Sequence, residues 1–375
     1  MNMPFFTIET QQNLARTGTI HTAHGDIKTP AFVGAATRAA VKTLNTKILD
    51  EIGVQAVLAN SYHLVLSPGS ELIDQAGKLS KFMAYPRPTF TDSGGFQIFS
   101  LPDVKVNEEG AIFKSHINGD KIVMTPESSM TFQWQIGADI HMAFDHLARS
   151  DSHADMQSAM LRTHRWLDRC ITKHQTLRQA ALKNQNPPQY LYGVVQGGNF
   201  LDLREAAARH LAALDLDGYG IGGVFTAHHL DKILQTVNHI LPEQRPRHLL
   251  GMGQEPRDLF IGVENGIDTF DCVAPTRMAR NGTLYTHHGR LNIHNAKNRR
   301  DFTPIDSSCD CETCRNYSKA YLHHLFKVNE INAKMLASIH NERFVIRLVD
   351  QIRTSLEAGD FQAFKHDFML NYYHE

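Results

Sequence analysis

The sequence predicts an α/β protein, an irregular (β/α)8 TIM barrel with a small inserted subdomain near its C-terminus. Two observations carry this prediction. Eight short apolar or β-branched runs recur before residue 275, and stretches with helical periodicity separate them. Strands that alternate with helices pair in parallel through right-handed crossovers. Eight such units within about 275 residues have the size of a TIM barrel.

The predicted strands are short, and most of them end in Gly, Asn, Asp or Gln. They are Thr29–Gly34, Val54–Asn60, Pro88–Asp92, Asp139–Asp145, Tyr190–Gln196, Gly218–Gly223, Arg247–Gly253 and Asp268–Val273. The last of them lies within Gly266–Arg277 and stops at Ala274-Pro275, because proline cannot continue a strand ladder. An open doubly wound sheet is the alternative, but the first strand is not followed by the Gly-x-Gly-x-x-Gly of a dinucleotide fold.

Helices are predicted between these strands. They are Lys42–Ile52, Thr125–Ile136, Ala154–His174, Leu201–Leu214 and His229–Ile240. Residues 301–345 differ in character, because three cysteines precede the predicted helices Tyr317–Lys327 and Glu330–His340. We expect a single barrel catalytic domain over residues 1–375, in which residues 301–345 form a metal-held subdomain before a closing helix at about Phe344–Leu356.

The composition excludes several classes of protein. Lys and Arg (38) balance Asp and Glu (39), so any nucleic-acid partner must be bound by a local patch. No apolar run approaches the length that crosses a bilayer, and the start of the chain lacks the regions of a signal peptide. Five cysteines are too few for a disulfide scaffold in 375 residues. We therefore expect a cytoplasmic protein without a membrane partner.

The cysteine motif predicts a metal site. Cys309, Cys311 and Cys314 form Cys-x-Cys-x-x-Cys, whose spacing supplies three thiolates for tetrahedral zinc. A fourth ligand is required, and four protein ligands would make the zinc structural, since a catalytic zinc keeps an open position. The downstream candidates, between which spacing alone does not choose, are His323, His324 and His340.

Polar residues and glycines stand where the predicted strands end, which is the face of a TIM barrel that carries the chemistry. These ends are Asn60, Asp92, Asp145, Gln196, Gly222-Gly223, Leu250 and Asp271. Glycine pairs follow three strands, at Gly94-Gly95, Gly197-Gly198 and Gly222-Gly223. Paired glycines let backbone approach a ligand closely, so three pairs on one face favour a flat ligand over three ordinary turns.

Two carboxylates, Asp268 and Asp271, fall in the last strand. Burying a carboxylate is costly unless it is paired, hydrogen-bonded or placed at the open end of the strand. A purely structural explanation has one of them capping a turn and the other ion-paired inside the protein. The polar residues at the other strand ends favour a functional role for Asp271.

The strand-end residues also fit a purine base. Phe96 could stack on a heterocyclic ring, and a core aromatic is the alternative. Asp145, Gln196 and the backbone at Gly223 could read both edges of a guanine-like base, because they accept from its N–H groups and donate to its carbonyl.

An ordered set of motifs carries a family resemblance. The motifs are DSGGFQ (92–97), FD (144–145), VVQGG (194–198), GYGIGGV (218–224), FDCVAPTRMARNG (270–282), CxCxxC (309–314) and SIHN (338–341). From about residue 6 to residue 370, the chain resembles the bacterial-type tRNA-guanine transglycosylases (queuine tRNA-ribosyltransferases). The family implies a (β/α)8 barrel with a zinc subdomain, commonly a homodimer. Its reaction replaces guanine at the wobble position of GUN-anticodon tRNAs (Asp, Asn, His and Tyr) with a 7-deazaguanine, in queuosine modification.

The resemblance implies a role for each residue. Exchanging a base with retention at the anomeric carbon needs two displacements, as in retaining glycosidases. Asp271 is implied as the nucleophile and Asp92 as the general acid/base. The implied base-binding residues are Asp145, Gln196, Gly223, Phe96, Leu250, Ser93 and Gly222. The implied RNA contacts are Arg277 and Arg280. The implied ligands of one structural zinc per subunit are Cys309, Cys311, Cys314 and His340. A further basic group, which either holds RNA backbone or is solvated, is Lys297, Arg299 and Arg300.

Five residues depart from the usual bacterial pattern. They are His146, Leu147, Phe225, Thr226 and His228. After Phe144-Asp145 that pattern usually continues with Glu-Cys, and after the glycine pair it has small and acidic residues. In bacterial members the acidic residue orients a peptide that recognises an aminomethyl group, which His228 cannot do in the same way. Both preQ1 and queuine therefore stay open as the incoming base.

Two other functions are weighed against base exchange. A non-catalytic tRNA-binding partner subunit of the same fold would lack the nucleophile, whereas this chain has both Asp92 and Asp271. A zinc-dependent barrel hydrolase would place its metal ligands at the strand ends, whereas the cysteine cluster lies outside the strand series.

Overall fold

The centre of the structure, a computed structural model that describes residues 4–148, 150–223 and 227–375, is a closed barrel of eight parallel strands. In chain order the strands are β1 (Phe6–Gln12), β2 (Ala15–Thr22), β3 (Gly25–Thr29), β4 (Ala31–Ala35), β5 (Val57–Asn60), β6 (Thr89–Asp92), β7 (Lys105–Val106), β8 (Ala111–Lys114), β9 (Lys121–Met124), β10 (Ile140–Met142), β11 (Tyr190–Val195), β12 (Gly218–Ile221), β13 (Arg247–Leu249), β14 (Thr269–Cys272), β15 (Thr283–Thr286) and β16 (Gly289–Asn292). The helices are α1 (Thr46–Glu51), α2 (Ser61–Leu66), α3 (Ser70–Gln75), α4 (Lys78–Phe82), α5 (Gly95–Ile98), α6 (Pro126–Ile136), α7 (His153–Lys183), α8 (Leu201–Ala212), α9 (Leu230–Asn238), α10 (Pro256–Glu264), α11 (Ala274–Arg280), α12 (Glu312–Asn316), α13 (Lys319–Lys327), α14 (Ile331–Ala358) and α15 (Phe361–Tyr373), with 3-10 turns at Ala227–His229 and Ala296–Arg300.

The barrel confirms the predicted α/β fold. Its strands follow the order β4-β5-β6-β10-β11-β12-β13-β14, and β14 closes the barrel by pairing with β4. Each of the eight predicted strands overlaps one of these strands, and the five predicted inter-strand helices correspond to α1, α6, α7, α8 and α9. Parallel strands place all their C-terminal ends at one mouth, so the residues read from the strand ends share one face.

The opposite mouth of the barrel is covered by the N-terminal sheet. Strands β1–β3 form an antiparallel sheet whose Phe6, Ile20 and Ile27 cluster with the apolar interior of the barrel. In the turn between β2 and β3, His24 bonds through Nδ1 to the carboxylate of Asp139, just before β10, at 2.8 Å. The sheet therefore covers the N-terminal ends of the strands and leaves their C-terminal ends accessible.

The end of the chain differs from the prediction. Helix α14 runs without a break from Ile331 to Ala358, whereas the sequence predicted two helices, Glu330–His340 and Phe344–Leu356. Asn341 lies within this helix, where its buried side chain accepts from the backbone N–H of Tyr285 at 3.1 Å and donates to two backbone carbonyls, so its polar groups are satisfied without a break in the helix.

Several elements had no counterpart in the prediction. They are the β1–β3 sheet, the β7–β9 sheet after α5, the β15–β16 hairpin, the short helices α2–α5 and α10–α12, and the final helix α15. Among the helices of the described residues, none is long and apolar enough to cross a membrane.

Asp268 is the carboxylate with a purely structural role. It lies just before β14, at the covered end of the barrel, where its Oδ1 and Oδ2 accept from Arg16 Nε at 2.9 Å and Nη2 at 2.6 Å. Its Oδ2 also accepts from the backbone N–H of Arg247 at 2.7 Å. Both members of the ion pair are buried, at 0 % and 1 % exposure. The structural explanation offered by the sequence therefore holds for Asp268.

Replacing Asp268 by alanine should lower the free energy of unfolding by about 3–5 kcal/mol, because the Arg16 guanidinium would stay buried without its carboxylate. The matched control is Asp215→Ala, which breaks a surface pair with Arg245 (3.3 Å) whose aspartate is 93 % exposed and should cost less than about 1 kcal/mol. Urea and thermal unfolding midpoints measure both changes. Equal losses in the two variants would contradict this assignment.

Candidate active site

Asp92 ends β6 at the open mouth of the barrel. Its Oδ2 accepts from Asn60 Nδ2 at 2.7 Å, and its Oδ1 accepts from the backbone N–H groups of Ser61 at 3.2 Å and Gly94 at 3.0 Å. Burial of the carboxyl group, with a smaller contribution from the charge of Asp271, outweighs these donors and raises the pKa of Asp92 to about 7. A carboxyl group with this pKa can both give and take a proton near neutral pH.

Asp271 lies near the C-terminal end of β14, at the same mouth. Its Oδ1 accepts from the backbone N–H of Gly251 at 3.0 Å and lies 3.2 Å from His248 Nε2. The residue is 9 % exposed, so its carboxylate is largely enclosed and still reachable from the mouth. A carboxylate that is held in place and reachable can form a covalent bond to a substrate.

A group of hydrogen-bonded residues surrounds Asp145, which follows β10. Its Oδ1 accepts from Ser93 Oγ at 2.9 Å and its Oδ2 from Gln196 Nε2 at 2.5 Å. Burial raises the pKa of Asp145, although both donors oppose the shift. Glycines bring backbone against the group, because a Cβ at Gly95 would lie 3.2 Å from Asp145 Oδ1 and one at Gly223 would lie 2.6 Å from Gln196 Oε1. These strand ends therefore form one polar wall with close backbone.

Two apolar side chains belong to the same mouth. Phe96 is 64 % exposed, so the alternative that it is a core aromatic is wrong. Leu250, just after β13, packs over Gly222, where an added Cβ would lie 3.0 Å from Leu250 Cδ1. An exposed aromatic ring beside polar strand ends is a suitable platform for stacking a heterocyclic ring.

Two guanidinium groups follow the strand that carries Asp271. Arg277 is exposed and Arg280 is partly buried on α11. Burial, and then the charge of Arg277, lowers the pKa of Arg280. Within the described residues, no acceptor bonds the buried Nη1 of Arg280. The pair can bind phosphates or base edges of a nucleic acid. The residues of the other basic group, Lys297, Arg299 and Arg300, are all exposed.

The two catalytic candidates are held by two residues, Asn60 and His248, that were not among the predicted site residues. Asn60 donates to Asp92 and also caps α2, since its Oδ1 accepts from the backbone N–H of His63 at 3.0 Å. An asparagine at a strand end before a helix is a recognisable N-cap signal, which could have found this residue. His248 contacts Asp271 from the neighbouring strand β13, and no local pattern in the sequence indicates that contact.

A buried arginine organises the two loops of the polar wall. Arg204 on α8 is 0 % exposed and donates to the carbonyl oxygens of Gly198 at 2.9 Å, Val195 at 2.8 Å and Gly222 at 2.8 Å. It thereby ties the end of β11 to the end of β12. Sequence reasoning missed it because an arginine in an amphipathic helix usually faces solvent.

The cysteine cluster is brought together with one histidine. Sulfur or nitrogen atoms of Cys309, Cys311, Cys314 and His340 all lie within 4.8 Å of one another, so this cluster could hold a metal ion. His340 Nε2 is hydrogen-bonded to the carbonyl oxygen of Tyr285 at 2.6 Å, and its Nδ1 lies 3.2 Å from Cys314 Sγ and 3.7 Å from Cys311 Sγ. A histidine that donates through one nitrogen presents the lone pair of the other to a metal. The three-sulfur, one-nitrogen donor set suits zinc.

The other two candidate histidines lie elsewhere. His323 is buried and its Nδ1 is bonded to the carbonyl oxygen of Ile293 at 2.8 Å, while His324 is exposed. Neither belongs to the metal-binding cluster of the described residues.

The residues that depart from the bacterial pattern fall in different surroundings. His146 is half-buried, and burial lowers its pKa to about 4, so its ring is neutral at neutral pH. Leu147 is 6 % exposed and packs in the core. His228 is exposed in the 3-10 turn before α9, whereas Phe225 and Thr226 lie outside the described residues.

Known proteins resemble this chain over nearly its whole length. The family model described as Queuine tRNA-ribosyltransferase matches residues 11–374. The chain is 45% identical over 377 residues to a curated queuine tRNA-ribosyltransferase of Herpetosiphon aurantiacus, covering 99% of this chain and 93% of the relative. It is 45% identical over 366 residues to that of Dehalococcoides mccartyi (96% and 91% covered) and 42% identical over 372 residues to that of Bacillus subtilis (98% and 95% covered). These matches span nearly the whole of each protein, and the chain belongs to the queuine tRNA-ribosyltransferase family.

Proposed function

We propose that this protein is a tRNA-guanine transglycosylase that exchanges guanine at the anticodon wobble position of GUN-anticodon tRNAs for a 7-deazaguanine. One observation carries the proposal. Asp92 and Asp271 share one mouth of the barrel, where burial raises the pKa of Asp92 to about 7, and where Asp271 Oδ1 accepts from the Gly251 backbone N–H and lies 3.2 Å from His248 Nε2. Family membership supports the tRNA substrate and the place of the reaction in queuosine modification.

In the first displacement, a lone pair of the Asp271 carboxylate forms a bond to the anomeric carbon of the target ribose. The bond from that carbon to the guanine nitrogen breaks, and its electron pair goes to the base, which takes the proton held by Asp92. A covalent ester between Asp271 and the ribose results. The target nucleotide must be extruded from its stack to reach this mouth.

In the second displacement, the incoming base loses a proton from its ring nitrogen to the Asp92 carboxylate. That nitrogen forms the new glycosidic bond, and the ester bond to Asp271 breaks with its electron pair returning to the carboxylate. Two inversions restore the original configuration at the anomeric carbon. The pKa of about 7 lets Asp92 serve as acid in one step and base in the next.

The polar wall supports recognition of a guanine-like base. Asp145 accepts from the N–H groups of the base, Gln196 and the Gly223 backbone address its carbonyl edge, and Phe96 and Leu250 contact its faces. Ser93 and Gly222 complete the site. Arg277 and Arg280 bind anticodon bases and phosphates beside the nucleophile.

Zinc is the metal that this cluster fits, one structural ion per subunit. Cys309, Cys311, Cys314 and His340 would hold it, and four protein ligands leave it no open position for catalysis. When bound, the ion would fix the cysteine-rich segment to α14. The subdomain of residues 301–345, the single catalytic domain over residues 1–375, the homodimer and the cytoplasmic location all stay predictions within this proposal.

The identity of the incoming base is a separate question, because the residues that set it depart from the bacterial pattern. Relative rates of incorporation of preQ1 and queuine into the same tRNA decide between them. A preference for preQ1 by about an order of magnitude or more would exclude queuine salvage as the main activity.

The experiment that tests base exchange is incorporation of labelled guanine into unmodified tRNA that carries a wobble guanine. We expect incorporation that depends on the wobble guanine and is absent when that position is changed. No incorporation by folded, zinc-loaded protein would contradict the proposed function and favour a binding role.

The proposed acid should respond to its hydrogen-bond donor. Asn60→Ala removes a donor that lowers the pKa of Asp92, so that pKa should rise above its value of about 7. Because the protonated form drives base departure, the alkaline fall in kcat/KM for tRNA should move to higher pH. Rate profiles from about pH 5 to about pH 9 measure the shift.

A second asparagine cap provides the control for that change. Asn45→Ala removes an N-cap from α1, where Asn45 Oδ1 accepts from the backbone N–H of Ile48 at 2.9 Å, and touches neither carboxylate. Each variant should lose about 1 kcal/mol of stability from its missing cap. An alkaline limb that moves equally in both variants, or in neither, would contradict the role of Asn60.

A further inference from the structure

The hydrogen-bond partners of Asp271 all fall on one of its two oxygens. His248 Nε2 (3.2 Å) and the Gly251 backbone N–H (3.0 Å) both contact Oδ1. Within the part of the chain that the structure describes, no donor bonds Oδ2. An oxygen that accepts two hydrogen bonds has little lone-pair density left for attack, so the two oxygens of this carboxylate are chemically different.

His248 is itself fixed from three sides. It is 0 % exposed on β13, its ring stacks on Phe90 with centroids 5.4 Å apart and planes 29° apart, and its Nδ1 lies 2.9 Å from Thr269 Oγ1. An ionised Asp271 can only accept, so Nε2 must carry a proton, and in the neutral ring Nδ1 then accepts from the Thr269 hydroxyl. Thr269 thereby selects the tautomer that donates to Asp271.

We propose that Asp271 attacks the anomeric carbon through Oδ2, and that His248, fixed by Thr269, is the positioning residue that holds Oδ1. The proposal rests on the function proposed above and deepens it, because it assigns atoms and adds two residues to the site. Gly251 supplies the second donor through its backbone, so side-chain changes at His248 remove one of two bonds.

The two donors act differently in the two displacements. When Oδ2 bonds to the anomeric carbon and the base departs, Oδ1 becomes the carbonyl oxygen of the ester and keeps both donors. When the incoming base attacks, the ester bond breaks at Oδ2 and its electron pair returns to the carboxylate, whose growing charge the donors on Oδ1 stabilise. Loss of His248 should therefore slow the second displacement most, and the covalent intermediate should accumulate.

The barrel contains a second histidine in matching surroundings that serves as a control. His141 on β10 is also 0 % exposed, and its Nδ1 also lies 2.9 Å from a threonine hydroxyl, that of Thr91. Its other nitrogen bonds to Gln189 and not to a carboxylate of the mouth. A purely structural role for His248 predicts that changes at the two histidines have similar consequences.

The experiment compares four variants with wild type: His248→Ala, His248→Gln, Thr269→Val and His141→Ala. Each is mixed with labelled tRNA, and the covalent protein–tRNA adduct is quantified on denaturing gels before and after a chase with guanine. For His248→Ala we expect a larger adduct fraction at steady state and a chase slower by about tenfold to a hundredfold. His248→Gln should recover much of the rate, because its amide N–H can replace the imidazole donor.

The remaining two variants distinguish a role of His248 in positioning Asp271 from a role in the stability of the protein. Thr269→Val leaves both His248 and Asp271 in place but removes the hydroxyl that bonds to His248 Nδ1. It should also slow the chase, because the His248 tautomer that donates to Asp271 is no longer favoured. His141→Ala should lose stability and keep the wild-type chase rate. If His248→Ala fails to fold, Thr269→Val and His248→Gln still test the proposal.

Two results would overturn the inference. One is a wild-type chase rate in His248→Ala or Thr269→Val, and the other is an equal slowing in His141→Ala. Failure of the proposed function is a different result, because wild type would then incorporate no guanine and form no adduct.

Discussion

Replacing Asp271 by asparagine should reduce guanine exchange by about ten-thousandfold or more. The amide matches the carboxylate in shape and can still accept from the Gly251 backbone N–H, so the mouth of the barrel should keep its form. It carries no negative charge and is a poor nucleophile, so the covalent ester cannot form. Labelled guanine incorporation and adduct formation with tRNA measure the loss, and equilibrium binding of tRNA should stay close to that of wild type.

The control for this variant lies three residues earlier. Asp268→Asn makes the same chemical change at the buried ion pair with Arg16, at the covered end of the barrel. We expect it to lose stability and to exchange guanine at nearly the wild-type rate per folded molecule. If Asp271→Asn kept exchange within about tenfold of wild type, Asp271 would not be the nucleophile.

The proposed mechanism needs one carboxyl group that exchanges a proton, Asp92, and one carboxylate that attacks the ribose, Asp271. Asp92 is half-buried at the mouth of the barrel, and burial is the main cause that raises its pKa to about 7. Asp271 stands on β14, three positions round the barrel from β6, with donors to one of its oxygens. Because the charge of Asp271 itself raises the pKa of Asp92, formation of the ester should lower that pKa and favour release of its proton to the departing base.

The fold was predictable because its signals are local. Eight strand-like runs alternate with stretches of helical periodicity, and parallel pairing then follows from the right-handed crossovers. The shared mouth was predictable for the same reason, since every strand end of a parallel barrel faces one way. The grouping of Asp145 with Ser93 and Gln196 was predictable in the same way, because each of the three lies at the end of a strand.

The residues that hold the catalytic candidates in place were not predictable, because their roles depend on contacts between distant parts of the chain. His248 meets Asp271 only through the register of β13 with β14, and Arg204 reaches two loops only because α8 packs on the barrel. The sequence left open which of Asp268 and Asp271 is ion-paired. The answer lies in Arg16, more than two hundred residues away. Asn341 likewise has its partner in β15, far away in the chain.

Replacing His340 by alanine should remove the metal from the cysteine cluster and unfold the segment around it. Structural zinc contributes about 10–16 kcal/mol of apparent binding free energy in small zinc domains, so loss of one ligand of four is a large effect. His340 also joins α14 to β15 through its bond to the Tyr285 carbonyl, which the substitution removes as well. Zinc content by elemental analysis, and hydrogen exchange over residues 301–345, measure the outcome. Chelation of wild-type protein should reproduce it.

His323→Ala is the control, because this buried histidine belongs to the same segment, bonds to a backbone carbonyl and lies outside the cluster. It should keep a full complement of zinc. A His340→Ala protein with wild-type zinc content would overturn the ligand assignment. Chelation could instead stop turnover at once while the amides of residues 301–345 stay protected from hydrogen exchange. That result would argue for a catalytic metal, because removal of a structural ion should unfold the segment that the ion holds.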